Sequence, residues 1–317
     1  MKAVRIHRFG GPEVIVIDDV PKPVPNAREV VVKVEAAGVG PWDALIRRGN
    51  SALPQTLPLT LGSDFSGVID SVGPGLERFQ VGDEVFGVAA ENFTGACAEY
   101  ARAKSSMIAP KPQTLNHSHA ASVPVVSVTA WQMVFEFAQL SARQSVLIHG
   151  GAGNVGAYAV QFAKQAGAMV ITTAAASDAF YIRGLGGLGV IDYRASRFEE
   201  NVKEVDAVID TVGGEILERS FGVVKRGGVI ISSSAAPSQE KAQQHGVRAS
   251  FFLVQVTADR LQKIAELIDA GRLKTEVGEV LWLDQARHAH EMLEGAPHRR
   301  GKIILKTQSA HGNRSLA

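Results

Sequence analysis

One cysteine, Cys97, is all that 317 residues contain, and a lone thiol excludes an intrachain disulfide framework. Such sparing use of sulfur fits a reducing compartment, so the cytoplasm is the expected location. Long hydrophobic runs are also missing. No apolar stretch approaches the length that spans a bilayer, and the first residues, Met1-Lys2-Ala3-Val4-Arg5, lack the features of a secretory signal. Charge of one sign is scarce: 33 Lys and Arg stand against 32 Asp and Glu, scattered along the chain, for a net charge of +1. That balance excludes the broad basic face of a nucleic-acid or membrane-surface binder. An anionic small molecule would need a positive field made locally, in particular loops.

Proline is nearly absent from the second half, since 11 of 13 lie at or before Pro124. The early part reads as short strands broken by turns. Val30, Val32 and Val34 alternate with Val31, Lys33 and Glu35, the period of a half-buried strand. Residues 14–18, 67–72 and 83–88 are further strand candidates, punctuated by Gly10-Gly11-Pro12 and Gly73-Pro74-Gly75. This pattern predicts a compact, mostly antiparallel, barrel-like β domain.

From about Ser122 strands alternate with helices. Residues 145–149 read as a buried strand and 155–166 as a helix stopped by Gly167. Residues 169–173, 189–191, 207–210 and 228–232 read as further strands, with a helix opening at Ser177-Asp178 and an amphipathic one over 260–270. The alternation predicts a parallel sheet covered on both faces. An apolar strand at 302–305 is expected to rejoin the first domain. The expected division is therefore 1–121 with 272–317, and 122–271. The polar tail from Gln308 is expected to be loose.

The run Gly151-Ala152-Gly153-Asn154-Val155-Gly156 follows one strand, opens a helix and precedes another strand. In that setting Gly151 permits a tight turn, Gly153 lets backbone approach a pyrophosphate, and Gly156 lets the helix pack close to the strand. N–H groups at the helix start then face the phosphates. Sites for NAD place Asp or Glu after the next strand, about 20 residues on. Here that strand ends Thr173-Ala174-Ala175-Ala176, so NADP(H) is favoured, with Ser177, Arg183, Tyr193 and Arg194 as phosphate partners by proximity. Asp178 is the alternative signal: it either approaches a ribose, favouring NAD, or sits in a helix's first turn behind Ser177 as N-cap.

With these motifs in place the chain resembles the medium-chain dehydrogenase/reductase superfamily, specifically its zinc-free quinone oxidoreductase branch. The resemblance spans nearly the whole chain. It rests on Ala36-Ala37-Gly38-Val39-Gly40-Pro41-Trp42-Asp43, Gly62-Ser63-Asp64-Phe65-Ser66-Gly67, Val81-Gly82-Asp83-Glu84-Val85-Phe86-Gly87, Val128-Thr129-Ala130-Trp131, the glycine turn and Gly301-Lys302-Ile303-Ile304-Leu305. It implies an α/β fold: a Rossmann domain with a doubly wound parallel sheet, and a GroES-like, mostly antiparallel β-barrel domain. It also implies a homodimer or homotetramer acting on a small-molecule substrate.

Zinc-dependent relatives need Cys, His and Cys at the catalytic metal, and this chain has Gly40 and Ser63 at two of those positions. No metal is expected. His117 and His119 in a polar loop, and His288 and His290 on a helix, do not replace the missing ligands. Asp43 and Asp64, acidic near the metal in zinc relatives, are expected to pair with Arg47 or another base, and Cys97 to be a small buried residue.

The resemblance implies a substrate pocket of Gly40, Trp42, Leu45, Phe93, Phe251 and Phe252, positioning by Asn92 and Thr129, and cofactor contacts from Val212 and Lys302 as well. Asn92 either orients an acceptor oxygen or bonds its own loop. Several relatives carry Asn and Tyr where this chain has Gly40 and Leu45. The implied activity is hydride transfer from NADPH to quinones or α,β-unsaturated carbonyls. Reduction of an enoyl thioester, or NADP binding without catalysis, are the alternatives.

Overall fold

A computed structural model describes residues 1–307; the tail from Gln308 lies outside the described residues. The chain divides into two compact units, one made of Met1–Val125 and the chain from Val256 onward, the other of Val126–Gln255.

The second unit is a parallel sheet of six strands. In spatial order they are Gly189–Asp192, Met169–Ala174, Ser145–His149, Val205–Asp210, Val224–Ser232 and Arg248–Phe251. In chain order this is 3-2-1-4-5-6, the doubly wound arrangement, in which ligands bind at the carboxyl ends where the order reverses. That reversal falls beside Ser145–His149. The strand buries Val146, Leu147 and Ile148 completely, and its apolar run is what a strand flanked on both sides requires. The helix expected after the glycines spans Asn154–Gln165. The one expected at Ser177 begins later: a 3-10 turn, Ala176–Asp178, precedes Ala179–Leu185, and Asp178 occupies the N-cap place without a side-chain capping bond.

In the first unit a sheet of seven strands carries Val277–Trp282, Lys302–Lys306, Glu29–Val39, Asp64–Val72, Glu84–Val88 and Ile108–Pro110 in that order, with Tyr100–Lys104 also on Glu29–Val39. All pairings are antiparallel except Val277–Trp282 with Lys302–Lys306. A smaller antiparallel sheet joins Ile15–Asp19, Lys2–Ile6 and Leu59–Thr60. Two expectations change here. Val31 is as buried as Val30 and Val32, so both faces of Glu29–Val39 are covered there and the strand is not half-buried. The helix Ala258–Asp269, expected in the parallel-sheet domain, belongs to the first unit, where the Asp269 carboxylate accepts the N–H groups of Gln113 and Thr114 at 3.1 and 2.9 Å. The boundary at 271 therefore moves to 256. No helix among the described residues is long and apolar enough to cross a membrane.

Candidate functional site

At the carboxyl ends of the parallel strands lies a cavity of about 680 Å³. Gly150, Ala152 and Gly153 line it from the glycine turn, Thr173, Ala174, Ala175, Ser177 and Asp178 from the next strand end, and Tyr193, Arg194 and Val212 from later loops. The left-handed residue of the turn is Gly150, with φ +76°, one position before the glycine assigned to it from the sequence. Gly151 is required for a different reason: a Cβ there would lie 2.0 Å from Thr172 Oγ1. At Gly156 a Cβ would lie 2.1 Å from the carbonyl oxygen of Gly150, the close helix approach expected of it. The helix opens at Gly153 without a side-chain cap, which leaves first-turn N–H groups for an anion.

Positive charge is local, as the near-neutral chain demands. Arg194, Arg197 and Arg219 all line the cavity. Arg219 is committed: its Nε and Nη2 both reach the Glu199 carboxylate at 2.5 Å, which holds Glu199 below the usual carboxylate range. Arg197 stands 3.6 Å from the same carboxylate. Arg194 lies over the Tyr193 ring at 5.5 Å and has no carboxylate within ion-pair distance among the described residues. Arg183, a phosphate partner by sequence proximity, is exposed and does not line the cavity. The sequence reading missed Arg197, Arg219, Ser196, Phe198 and Ile216, which reach the cavity from loops and a helix far along the chain. The turn after Val205–Asp210 is fixed by Asp210, whose carboxylate accepts the N–H groups of Val212 and Gly213 and the hydroxyl of Ser232.

The acceptor-side candidates divide between the units. In the first, the Trp42 indole N–H donates to Ser63 Oγ at 2.9 Å, and its ring covers Gly40 so closely that a Cβ there would lie 2.4 Å from it. Leu45 is exposed and Phe93 half-buried, with φ +60°. The Asn92 amide oxygen accepts from Thr94 Oγ1 at 3.0 Å and its backbone carbonyl accepts from Gln55, so its polar atoms serve the loop. In the second, Thr129 is buried, Phe251 is exposed and Phe252 packs on Phe137 with ring centroids 4.4 Å apart.

Lys302, expected at the cofactor, is buried in the first unit. Its ammonium lies 2.9 Å from Asp64 Oδ2 and 3.9 Å from the centre of the Trp42 ring. Asp64 also accepts the Val125 N–H at 3.0 Å. Arg47 does not pair with either aspartate; it reaches Glu294. Asp43 accepts the Gly40 N–H at 2.7 Å, and burial pushes its carboxyl up to about 7, with Asp64 adding to the shift and Gly40 and Lys302 opposing it. Cys97 is buried, and burial holds its thiol well above the usual range. His117 opens a short helix, His117–Ala121, and bonds Ser66 and Glu84.

The donor set at this place does not fit a zinc ion. Gly40 and Ser63 supply neither thiolate nor imidazole, an indole fills the space above Gly40, and an ammonium already sits against Asp64. Among the described residues no group of three His, Cys, Asp or Glu is placed to hold a metal.

His290, expected only as a failed metal ligand, is a buried imidazole pushed down to about 3 by burial and by the neighbouring Arg47 charge, against the opposing Glu294. Above its unfolded value of about 6.5 it is neutral in both states. Below that, the unfolded chain takes up a proton that the folded chain refuses, so stability falls with pH. The expected loss at pH 5 relative to pH 7.5 is about 2 kcal/mol. Asp43 has the opposite sign, since its raised value makes the folded chain the better proton binder between about 4 and 7. The comparison is therefore with His290→Gln: urea unfolding at both pH values should show the variant losing about 2 kcal/mol less than wild type. An identical loss would mean that His290 does not titrate as its burial requires.

Comparison with known proteins agrees with this geometry. The family model for an alcohol dehydrogenase GroES-like domain matches residues 26–114, and that for a zinc-binding dehydrogenase matches 185–305. Mouse quinone oxidoreductase is 31% identical, with 96% of this chain and 97% of that protein covered. The solved quinone oxidoreductase of Coxiella burnetii is 34% identical, with a TM-score of 0.89 over 97% of this chain and 99% of that one. The Escherichia coli quinone oxidoreductase, solved in complex with NADPH, is 26% identical, with a TM-score of 0.88 over 97% of this chain and 100% of that one. By its doubly wound sheet, its glycine turn and these relatives, the chain belongs to the medium-chain dehydrogenase/reductase superfamily, in its quinone oxidoreductase-like branch.

Proposed function

We propose that this oxidoreductase uses NADPH without zinc to reduce quinones or α,β-unsaturated carbonyl compounds. The observation that carries the reading is the cavity at the strand-order reversal, where an uncapped helix start meets the unpaired guanidinium of Arg194 beside Ser177 and Tyr193. N–H groups of the first helical turn hold the pyrophosphate, and Arg194 takes the 2′-phosphate. The relatives named quinone oxidoreductase, one of them bound to NADPH, support the same assignment.

Bound NADPH supplies the hydride. Gly40 and Ser63 leave no Lewis acid to hold an alkoxide, so an acceptor already activated by conjugation is the class that fits. Asn92 is engaged by Gln55 and Thr94, and the final proton is assigned to water rather than to a side chain.

The test is NADPH oxidation with 1,4-benzoquinone, 9,10-phenanthrenequinone, 2-alkenals, enones and an enoyl thioester. Turnover of quinones or enones is expected, and Arg194→Ala should weaken NADPH binding about tenfold while leaving NADH unchanged. Preference for the thioester would replace the substrate class; tight NADPH binding with no turnover would leave a non-catalytic binding protein.

A further inference from the structure

Beneath the cavity lies a buried imidazole that the cofactor reading does not use. His149 ends the strand Ser145–His149 and is fully buried, while Gly150, Thr173, Phe198 and Ile216 around it line the cavity. We assign the direction of its hydrogen bonds from the shorter contact of Ser220. Ser220 Oγ is 2.7 Å from the carbonyl oxygen of Ile216, which accepts only, so the single hydroxyl proton of Ser220 is spent there. Ser220 Oγ, 3.0 Å from His149 Nε2, must then accept, and Nε2 carries the proton. In the neutral ring Nδ1 is bare and accepts from Thr173 Oγ1 at 3.2 Å. The Thr173 hydroxyl in turn accepts the N–H of Gly150 at 3.2 Å. One chain of hydrogen bonds therefore runs from the helix Gly214–Ser220 through the imidazole to the left-handed residue of the glycine turn.

Neutrality is consistent with the surroundings. Burial pushes His149 down to about 4, Arg219 adds to this, and the carboxylates of Asp210 and Glu199 oppose it. The Phe198 ring meets the imidazole edge-on at 4.7 Å, fixing its plane. Gly150 is a place where such a tie matters. Its φ of +76° lets it leave the strand end, and the Thr173 hydroxyl and the Thr211 side chain flank it.

We propose that His149 is a positioning residue for the dinucleotide, holding the glycine turn in its binding geometry through Thr173. The proposal rests on the assignment of the cavity to a nicotinamide dinucleotide. Nothing in it requires His149 to touch the ligand.

The experiment measures Kd for NADPH and for NADH, KM for NADPH, kcat and the thermal midpoint for five chains. These are the wild type, His149→Leu, His149→Asn, Thr173→Val and Thr173→Ser. His149→Leu and Thr173→Val should each raise Kd and KM for the cofactor about tenfold, and His149→Leu, at a position that does not line the cavity, should keep kcat at saturating cofactor within about twofold. His149→Asn keeps an amide oxygen where Nδ1 stood, and Thr173→Ser keeps the hydroxyl, so both should stay within about threefold of wild type. A purely structural role would follow the thermal midpoint and would not produce this rescue. Thr173→Val, nearly isosteric, decides the matter should His149→Leu fail to fold. Wild-type affinity in Thr173→Val, or His149→Asn no better than a folded His149→Leu, overturns the proposal alone. A wild-type chain that binds neither NADPH nor NADH overturns the cofactor reading and this proposal with it.

Discussion

Valine in place of Gly156 is expected to raise the Kd for NADPH at least ~100-fold and to lower the thermal midpoint. The reason is local and steric. A Cβ at 156 would stand 2.1 Å from the Gly150 carbonyl oxygen and 2.9 Å from the Gly151 Cα, and both are backbone atoms. Neither can swing aside as a side chain would. Relief requires the helix Asn154–Gln165 to retreat from the strand, carrying with it the first-turn N–H groups to which we assign the pyrophosphate. Overpacking of this kind costs about 1–3 kcal/mol in stability, and displacement of several of the donors proposed for the phosphates should add the larger loss in affinity. Gly184→Ala is the control, because a Cβ there meets nothing within 4 Å. It should bind NADPH as wild type does. Isothermal titration of the three chains decides the point, and wild-type affinity in Gly156→Val would falsify the assignment of this turn.

Loss of the lysine ammonium at 302 should destabilise the chain by about 3–5 kcal/mol, the usual cost of leaving one member of a buried ion pair behind. Lys302→Met keeps an unbranched side chain as far as the ε carbon and removes the ammonium with its charge and its N–H donors. It leaves Asp64 fully buried with the Val125 N–H as its remaining partner, and it strips the Trp42 ring of its cation. Asp64→Asn alone strands the ammonium instead. The double variant removes both charges and should recover most of the loss, because replacing a whole buried pair is close to neutral. A urea double-mutant cycle measures the coupling. If the two single losses simply add, the pair is not the unit described here. Direct cofactor contact by Lys302 makes a different prediction, namely a loss of NADPH affinity in Lys302→Met that Asp64→Asn cannot restore.

Much of the second unit was legible because its signals are local. Residues 145–149 were expected as a strand and form one, and the glycines that follow mark the turn within a few positions. What failed there was the division of labour between Gly150 and Gly151. The motif starts at Gly151, yet the left-handed turn falls on Gly150, and what requires glycine at 151 is the contact with Thr172 from the neighbouring strand. Arg197 and Arg219 escaped for a related reason: they enter the cavity from a loop and a helix well beyond the fingerprint. In the first unit the errors came from pairing over long separations. Arg47 stands beside Asp43 in the same helix, Pro41–Arg48, yet its partner is Glu294, 247 residues on. The helix Ala258–Asp269 follows a βα rhythm that assigns it to the wrong sheet, because the capping of residues 113–114 by Asp269 leaves no trace in periodicity.

The pairing of Lys302–Lys306 with Glu29–Val39 imposes an order on synthesis. Residues 126–255 form a contiguous unit and are complete while the partner strand of Glu29–Val39 has yet to leave the ribosome. During that interval the edge of Glu29–Val39 that will receive it stays open, with Ala36, Ala37, Gly38 and Val39 unmatched. Small residues along an unpaired edge invite pairing with other chains, and the burial of Lys302 against Asp64 becomes possible only when the last strand arrives. The ammonium that pairs with Asp64 is thus delivered by the same strand that closes this edge of the sheet.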